Sequence, residues 1–261
     1  MEPLYTSANC SPAYELRWSL ALFATTSLPS ADSWVEHLRE TIERDGVRLL
    51  EHHFREPNVW QFLLSTKPHV TPPAVVKSVK GRLQNRLLET HPTAFRRNFS
   101  LTSVGEARRD VVESYVANQL GHHRMADPRV QDRLARFQLS FPNVNLDDPQ
   151  FSSHGRYVYN LHLVLVHESR WCELQEERLE ITRNMIVRVA AKKRHRLSRV
   201  AILADHVHLT LGCSPGESPE DVALAYLNNL AFAHGMKPVF QFGFYVGTFG
   251  GYDLGAVRRA P

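Results

Sequence analysis

The chain has 261 residues, which is enough for one large domain or for two domains of roughly 110–130 residues that each bury a core. Apolar residues make up 43% of the sequence, no run approaches the roughly 18 apolar residues of a membrane span, and the N-terminus lacks a signal pattern, so we expect a cytoplasmic protein. Three cysteines without paired spacing argue against a disulfide framework or a zinc ribbon, and the net charge of +4, with its basic residues clustered, suits either a nucleic-acid surface or a solvated face.

The first 120 residues predict a β-α-β-β-α-β order followed by one more helix. Alternating apolar residues indicate the strands, and N-cap residues, prolines at a helix start and a terminating glycine indicate the helices. The predicted strands are 14–25, 47–54, 59–66 and 95–103, and the predicted helices are 30–46, 71–90 and 105–120. This order is the split βαβ, ferredoxin-like arrangement, an antiparallel sheet with helices on one face.

Segment 124–155 has little periodicity and many Pro, Asp, Asn and Ser residues, which is typical of a connector. After it the same order of elements returns. The predicted strands are 157–167, 196–203, 205–212 and 239–248, and the predicted helices are 174–193 and 218–235. We therefore predict an α+β chain of two tandem ferredoxin-like domains, 14–123 and 156–261, joined by the connector.

The two halves also share a faint sequence repeat. At an offset of 147, Pro68 aligns with Pro215 and Pro72 with Pro219. Identity between the halves is low, so the shared order of elements carries the prediction of a repeat.

Two histidines in LADHVHLTLG, residues 203–212, lie on one face of a predicted strand, because residues i and i+2 of a strand point to the same side. Two neutral imidazoles suit a divalent transition ion and leave positions open for substrate oxygens. A histidine pair on a half-exposed strand is also common without any metal. At the offset of 147, His206 and His208 align with Val59 and Gln61, so the first copy lacks the pair.

A tyrosine and a glutamine share one face of the last predicted helix of the first copy. Tyr115 and Gln119 are four residues apart, the spacing of neighbours on a helix surface. By itself, a tyrosine on an amphipathic helix is usually part of the core or its rim. At an offset of 145, Tyr115 aligns with Ala260, one residue before the chain ends, so the second copy lacks this helix.

The sequence resembles the single-tyrosine transposases of the HUH endonuclease superfamily, which include the REP-associated tyrosine transposases. The resemblance is carried by ADHVHL (204–209), VKGR (79–82), SVGE (103–106) and YVANQ (115–119), and it covers most of the chain. It implies cleavage of single-stranded DNA by a tyrosine, which leaves a 5′-phosphotyrosine link and a free 3′-hydroxyl that can later reverse the step.

The resemblance also implies the roles of individual residues. Tyr115 is expected to be the nucleophile, and His206 and His208 are expected to hold a divalent metal that polarises the scissile phosphate. Gln119 is the expected third ligand, and Asp205 is a candidate to orient the histidines or cap the strand. The family implies Mg²⁺ or Mn²⁺, although imidazole ligands alone favour Zn²⁺ or Mn²⁺ over Mg²⁺.

In the resembled family two identical subunits pair, and the tyrosine helix of one commonly reaches the histidines of the other. Here the two copies are fused, so we expect an intramolecular pseudo-dimer in which the first half supplies Tyr115 to the histidines of the second half. The reciprocal site would combine Val59, Gln61 and Ala260, which offer neither metal ligands nor a nucleophile. The chain is therefore expected to hold one active site. Either two chains assemble as a homodimer to make the two cuts that release an element, or the protein makes single nicks in another cellular role.

The implied partner is single-stranded DNA with a hairpin, held by basic side chains. The candidate phosphate contacts are Lys80, Arg82, Arg96, Arg97, Lys192, Lys193, Arg194 and Arg196. Two alternatives stay open at this point. One is a domesticated descendant that binds hairpin DNA without cutting it, and the other is a zinc-dependent phosphoesterase that activates water.

Overall fold

The computed structural model describes residues 2–27, 29–55 and 58–252, which form two six-stranded sheets with helices packed on them. The mixed α+β class is as predicted. Within the described ranges, no helix has the length and apolar character needed to cross a membrane.

The elements of the first half follow the predicted order. They are β1 (Ser11–Glu15), β2 (Arg17–Ala24), α1 (Val35–Glu43), β3 (Val47–Arg55), β4 (Val59–Thr66), α2 (Pro72–Arg86), β5 (Phe95–Val104), α3 (Arg109–Ala117) and α4 (Gln119–His122). Helix α2 begins where the sequence placed it, because the Thr71 hydroxyl accepts a hydrogen bond from the Ala74 N–H and Pro72 occupies the first turn.

Within the described residues, which end at Tyr252, the second half repeats this order up to its last strand. After α5 (Pro128–Ala135), β6 (Leu139–Ser140) and β7 (Gln150–Phe151), its elements are β8 (Gly155–Val158), β9 (Asn160–Val166), α6 (Glu176–Lys193), β10 (Arg196–Ile202), β11 (His206–Gly212), α7 (Pro219–Ala233) and β12 (Gly243–Thr248). Helix α7 begins with a capping box between Ser218 and Asp221.

Both sheets have the strand order of a split βαβ unit. The first sheet has the order β3-β4-β2-β5-β8-β7, and the second has the order β1-β12-β9-β11-β10-β6. In each, four consecutive strands come from one half and are antiparallel, with β2 between β4 and β5 in the first sheet and β9 between β12 and β11 in the second. The tandem ferredoxin-like architecture predicted from the sequence is confirmed.

The two halves exchange their N-terminal strands. Strand β1 pairs parallel to β12 of the second sheet, and β8 pairs parallel to β5 of the first sheet. The sequence predicted one continuous strand over 14–25 and another over 157–167, and this was wrong. Each is broken, at Leu16 and at Tyr159, because the residues before the break pair with the opposite sheet.

The segment 124–155 contains more structure than a connector was expected to have. The Asp127 carboxylate accepts a hydrogen bond from the Arg129 N–H and starts α5, where Pro128 occupies the first turn. Strand β6 extends the second sheet beside β10, and β7 pairs with β8 at the edge of the first. The same Pro and Asp residues that suggested a loop therefore start a helix.

One apolar core runs through both halves. Trp18 of β2 and Tyr159, which follows β8, have ring centroids 5.2 Å apart. Polar groups cross the same boundary: the Arg17 N–H donates to the Thr248 hydroxyl at 2.7 Å, and the Asn160 N–H donates to the Ser103 hydroxyl at 2.9 Å. The two sheets are thus fixed relative to each other by packing and by hydrogen bonds.

Gly105 lies against the backbone of the second half. Its N–H donates to the carbonyl oxygen of Gly250, and a Cβ at Gly105 would lie 2.5 Å from the backbone oxygen of Thr248. We expect Gly105→Ala to lower the free energy of unfolding by about 1–3 kcal/mol, because the backbones would have to separate.

The matched control is Gly81→Ala, in the interior of α2, where a Cβ would meet no described atom within 4 Å. This change should instead stabilise the protein by about 0.5–1 kcal/mol, since alanine favours the helix over glycine. Urea unfolding followed by circular dichroism measures both. Equal stabilities for the two variants would show that the halves do not meet at Gly105.

Candidate functional site

Helix α3, which belongs to the first half by sequence, lies on the second sheet. It contacts β10 and β11. The buried side chain of Val116 packs with Ala201 and Leu203 of the second half, and Ser198 donates a hydrogen bond to the carboxylate of Glu113. These contacts bring the face of α3 that carries Tyr115 onto β11.

The two histidines of β11 line the surface that α3 covers. His206 and His208 point to the same face, while Val207 between them packs into the apolar core. Both side chains are buried, with 6% and 5% of their surface exposed. Burial lowers the pKa of both, and for His208, where neighbouring imidazoles add to the effect, it falls to about 2. Both rings are therefore neutral, as metal ligation requires.

Tyr115 packs against His208 of the pair and against a third histidine. The centroid of its ring lies 5.9 Å from that of His208 and 6.1 Å from that of His162 on β9. The tyrosine is 47% exposed, so its ring is open to solvent on one side and packs against imidazoles on the other. A nucleophile candidate from the first half and a ligand pair from the second half thus share one site.

Each histidine of the pair has a hydrogen-bond partner at its Nδ1 atom. Asp205 lies 2.6 Å from Nδ1 of His206 and is itself bound by Arg170 at 3.1 Å. Nε2 of His162 lies 2.9 Å from Nδ1 of His208. Among the hydrogen bonds of the described residues, none involves Nε2 of His206 or His208, so both Nε2 atoms can bind a ligand.

Gln119 is buried beside Tyr115 and its amide oxygen is unpaired. The side chain is 1% exposed, its Nε2 donates to the carbonyl oxygen of Tyr115 at 3.3 Å, and its Oε1 has no hydrogen-bond partner among the described residues. The single helix predicted over 105–120 was wrong in its bounds, because α3 begins at Arg109 and is interrupted at Asn118, after which Gln119 opens α4.

The side chains present fit a divalent ion. In the described ranges no three His, Cys, Asp or Glu side chains converge as metal ligands, so the third ligand of an ion bound at the histidines would be of another type. The Gln119 amide oxygen is buried and lacks a hydrogen-bond partner among the described residues, which destabilises the fold. A cation bound to this oxygen would remove that destabilisation. Two neutral imidazole nitrogens and one amide oxygen favour Mn²⁺ over Mg²⁺ among the ions that the resemblance implies.

Two residues of the site were missed by the sequence analysis because they come from other strands. His162 lies on β9, and the pairing of β9 with β11 brings it beside His208. Tyr245 on β12 has its ring 5.8 Å from His162, and burial raises its pKa, with smaller contributions from Glu15, Glu106 and Tyr115. The alternation of residues in a strand predicts which face a side chain occupies but not which strand lies next to it.

Two consecutive histidines at the end of α4 were also missed. The ring of His122 lies 6.3 Å from that of Tyr115, and the ring of His123 lies 5.0 Å from that of His206. Both are exposed, at the solvent side of the site. The only signal in the sequence is their position seven and eight residues after Tyr115, which places them two turns further along the same segment.

The corresponding place in the first sheet lacks the histidine pair, although Oε1 of Gln61, like that of Gln119, is buried without a hydrogen-bond partner among the described residues. Val59 and Gln61 occupy the positions of His206 and His208 on the strand, and Gln61 donates to the hydroxyl of Ser19 at 2.9 Å. Ala260, which the sequence aligned with Tyr115, lies outside the described residues.

The basic residues chosen as candidate DNA contacts fall into two groups. Four are held by other parts of the chain: Lys80 donates to the carbonyls of Arg96 and Arg97, Arg82 pairs with Asp45, Lys193 pairs with Glu217, and Arg196 donates to the carbonyls of Asn145 and Asp148. Burial lowers the pKa of Lys80. The side chains of the other four are exposed, and they are Arg96, Arg97, Lys192 and Arg194.

The model of the IS200-like transposase family matches two segments of the chain, residues 28–119 and 156–259. The chain belongs to this family. The match falls separately on each half, and together the segments cover more than half of the sequence.

The solved structures that match the chain share little sequence with it. One, from Deinococcus radiodurans R1 and provisionally named a transposase, is 22% identical, with a TM-score of 0.33, and the match covers 41% of this chain and 92% of that one. A regulatory subunit of aspartate kinase from Thermus thermophilus is 8% identical, with a TM-score of 0.20, over 84% of this chain and 92% of that one. No curated protein matches. The family match therefore carries the assignment.

Proposed function

We propose that the protein is a transposase of the HUH, REP-associated type that cleaves and rejoins single-stranded DNA, with Tyr115 as the nucleophile. The observation that carries this proposal is the 5.9 Å separation of the Tyr115 and His208 rings, which come from different halves of the chain. The Gln119 amide supports a metal-dependent reaction, because its Nε2 contacts the backbone of Tyr115 and its buried Oε1 has no hydrogen-bond partner among the described residues.

The cleavage step assigns a task to each residue. The phenolic oxygen of Tyr115 forms a bond to phosphorus as it loses its proton, the bond from phosphorus to the 3′-oxygen breaks, and that oxygen takes up a proton to leave as a 3′-hydroxyl. His206, His208 and Gln119 would hold a divalent ion, which polarises the phosphate and offsets its growing negative charge. Asp205 fixes the ring of His206 through Nδ1.

The protein would carry one such site per chain, as an intramolecular pseudo-dimer. The reciprocal position offers Val59 and Gln61 in place of the two histidines, and Gln61 is bonded to Ser19. Each half has lost what the other supplies. A chain of this kind makes one cut, so release of a DNA element from both ends would require two chains.

The proposal is tested with a hairpin oligonucleotide that carries single-stranded flanks and a different label at each end, so that the 3′ label follows the adduct and the 5′ label follows the released fragment. With Mn²⁺ or Mg²⁺ we expect a covalent adduct of protein and DNA and a free 3′-hydroxyl fragment, both abolished by EDTA. Binding of the hairpin without any adduct would favour the domesticated DNA-binding protein. Hydrolysis that persists after loss of Tyr115 would favour the phosphoesterase.

Arg96 and Arg97 are the exposed pair of basic residues on β5, and we propose them as phosphate contacts. The double variant Arg96→Ala/Arg97→Ala should weaken binding of single-stranded DNA about 3–10-fold and reduce the slope of log K against log salt by about 1. Fluorescence anisotropy over a salt series measures both.

The control for this prediction is Arg82→Ala, because the Arg82 guanidinium already donates two hydrogen bonds to Asp45 at 2.7 Å. Loss of the Arg82 side chain should change the affinity for DNA by less than about 2-fold, because its guanidinium is already paired with the carboxylate of Asp45. A larger effect at Arg82 than at the Arg96 and Arg97 pair would reverse the assignment.

A further inference from the structure

His162 lies at the centre of the candidate site, yet neither the family motifs nor the strand pattern points to it. It sits on β9 opposite Thr210 of β11, which makes it the diagonal neighbour of His208 on the same face of the sheet. Its Nε2 atom lies 2.9 Å from Nδ1 of His208. Its ring lies 6.1 Å from Tyr115 on one side and 5.8 Å from Tyr245 on the other.

The direction of the hydrogen bond between the two imidazoles follows from the chemistry of ligation. A neutral imidazole has one nitrogen with a proton and one with a lone pair. If His208 binds a metal through Nε2, its proton must lie on Nδ1, and the Nδ1–H then donates to Nε2 of His162. His162 in turn must carry its own proton on Nδ1. For His206, the Asp205 carboxylate is the acceptor of the Nδ1–H in the same way.

We propose that His162 is a positioning residue: it accepts the Nδ1–H of His208, keeps the Nε2 lone pair of His208 directed at the metal position, and forms the wall against which Tyr115 packs. This rests on the proposed function for the presence of a metal. The tautomer of His208 can be measured without any metal and so does not depend on it.

In the first sheet, Gln61 and Ser19 occupy the positions that His208 and His162 occupy in the second. Gln61 lies opposite Ala21 and diagonal to Ser19, as His208 lies opposite Val164 and diagonal to His162. The Gln61 amide donates to the Ser19 hydroxyl at 2.9 Å. The geometry of the two central strands thus places a hydrogen bond here in both halves, but in the first half it joins an amide to a hydroxyl, whereas in the second half it joins two imidazoles. Ser19→Ala is therefore a control for the loss of such a bond in the sheet.

The experiment compares the wild type with His162→Gln, which retains an acceptor of similar reach, and with His162→Leu, which fills the space without one. Long-range ¹⁵N–¹H NMR spectra of the metal-free protein report the tautomer of His208, and calorimetry reports the affinity for Mn²⁺. We expect the Nδ1–H tautomer in the wild type and in His162→Gln. In His162→Leu both tautomers of His208 should be populated, and Mn²⁺ should bind about 10–100-fold more weakly than to the wild type. The Mn²⁺ affinity of His162→Gln should lie within a few-fold of the wild-type value, and that of Ser19→Ala should be unchanged.

An Nε2–H tautomer of His208 in the wild type would overturn the proposal without any variant, even if His162→Leu failed to fold. Unchanged Mn²⁺ affinity in a folded His162→Leu would also overturn it, and so would a His162→Gln variant as weak as His162→Leu. Failure of the proposed function is separate: the tautomer and the Mn²⁺ affinity would behave as expected while labelled DNA remained uncut.

Discussion

Replacing Tyr115 with phenylalanine is expected to abolish the covalent adduct with single-stranded DNA and to slow cleavage about 10⁴-fold or more. The change removes one oxygen atom, the one that would bond to phosphorus, and leaves the ring against His208 and His162. Because 47% of the side chain is exposed and its hydroxyl makes no hydrogen bond with the described residues, stability should change by less than about 0.5 kcal/mol.

The matched control for this variant is Tyr14→Phe, which removes the hydroxyl of another half-exposed tyrosine, at 46% exposure, on β1. Adducts are resolved on denaturing gels with labelled DNA, and the modified peptide is identified by mass spectrometry. If Tyr115→Phe still forms the adduct, or if Tyr14→Phe loses it, the nucleophile has been assigned to the wrong residue.

Replacing His208 with alanine is the change with the next largest expected effect. It removes one of the two neutral imidazoles and leaves Nε2 of His162 without its hydrogen-bond partner. We expect the affinity for Mn²⁺ to fall about 100-fold or more and cleavage to fall with it, because the remaining ligands cannot hold the ion in place. Calorimetry measures the first effect, and cleavage assays over a range of Mn²⁺ concentrations measure the second.

Gln61→Ala is the control for His208→Ala. Gln61 is buried at the same position of the first sheet, where it is bonded to Ser19 and lacks imidazole neighbours on its strand. It should lose stability through its missing hydrogen bond, but metal affinity and cleavage should stay as in the wild type. Wild-type affinity in His208→Ala would show that the ion is bound elsewhere.

The order of helices and strands could be predicted from the sequence because it depends on local signals. Alternation fixed β4 and β11 to within a residue, and side-chain caps fixed the starts of α2 and α7. The exchange of β1 and β8 between the sheets could not be predicted. The apolar pattern continues through Leu16 and Tyr159, and the choice of partner strand depends on where the other half of the chain lies.

In the candidate site, too, local features could be predicted from the sequence and contacts between strands could not. His206, His208, Tyr115 and Gln119 could be found because each pair lies within a few residues of sequence, and the resemblance supplied the reason to combine the pairs. His162 could not be found, because its place beside His208 results from the register of β9 on β11. Nor could the sequence tell that the Lys80 ammonium is held by two backbone carbonyls. Charge alone does not show which cations are free.

The site is asymmetric in a fold whose two sheets are closely alike. The second sheet carries helices on both faces, α6 and α7 on one and α3 on the other, and the histidines lie under α3. This arrangement makes Tyr115 and His208 neighbours although they are distant in sequence, so the proposed site would need residues of one chain only.

The most direct test of this account is a mixing experiment with Tyr115→Phe chains and His208→Ala chains. Each variant alone is expected to be inactive in adduct formation, and we predict that the mixture stays inactive, because both parts of a site must come from the same chain. Wild-type protein diluted with either variant should keep activity in proportion to its own amount. Adduct formation restored in the mixture would show that Tyr115 of one chain serves the histidines of another, and would contradict a site completed within one chain.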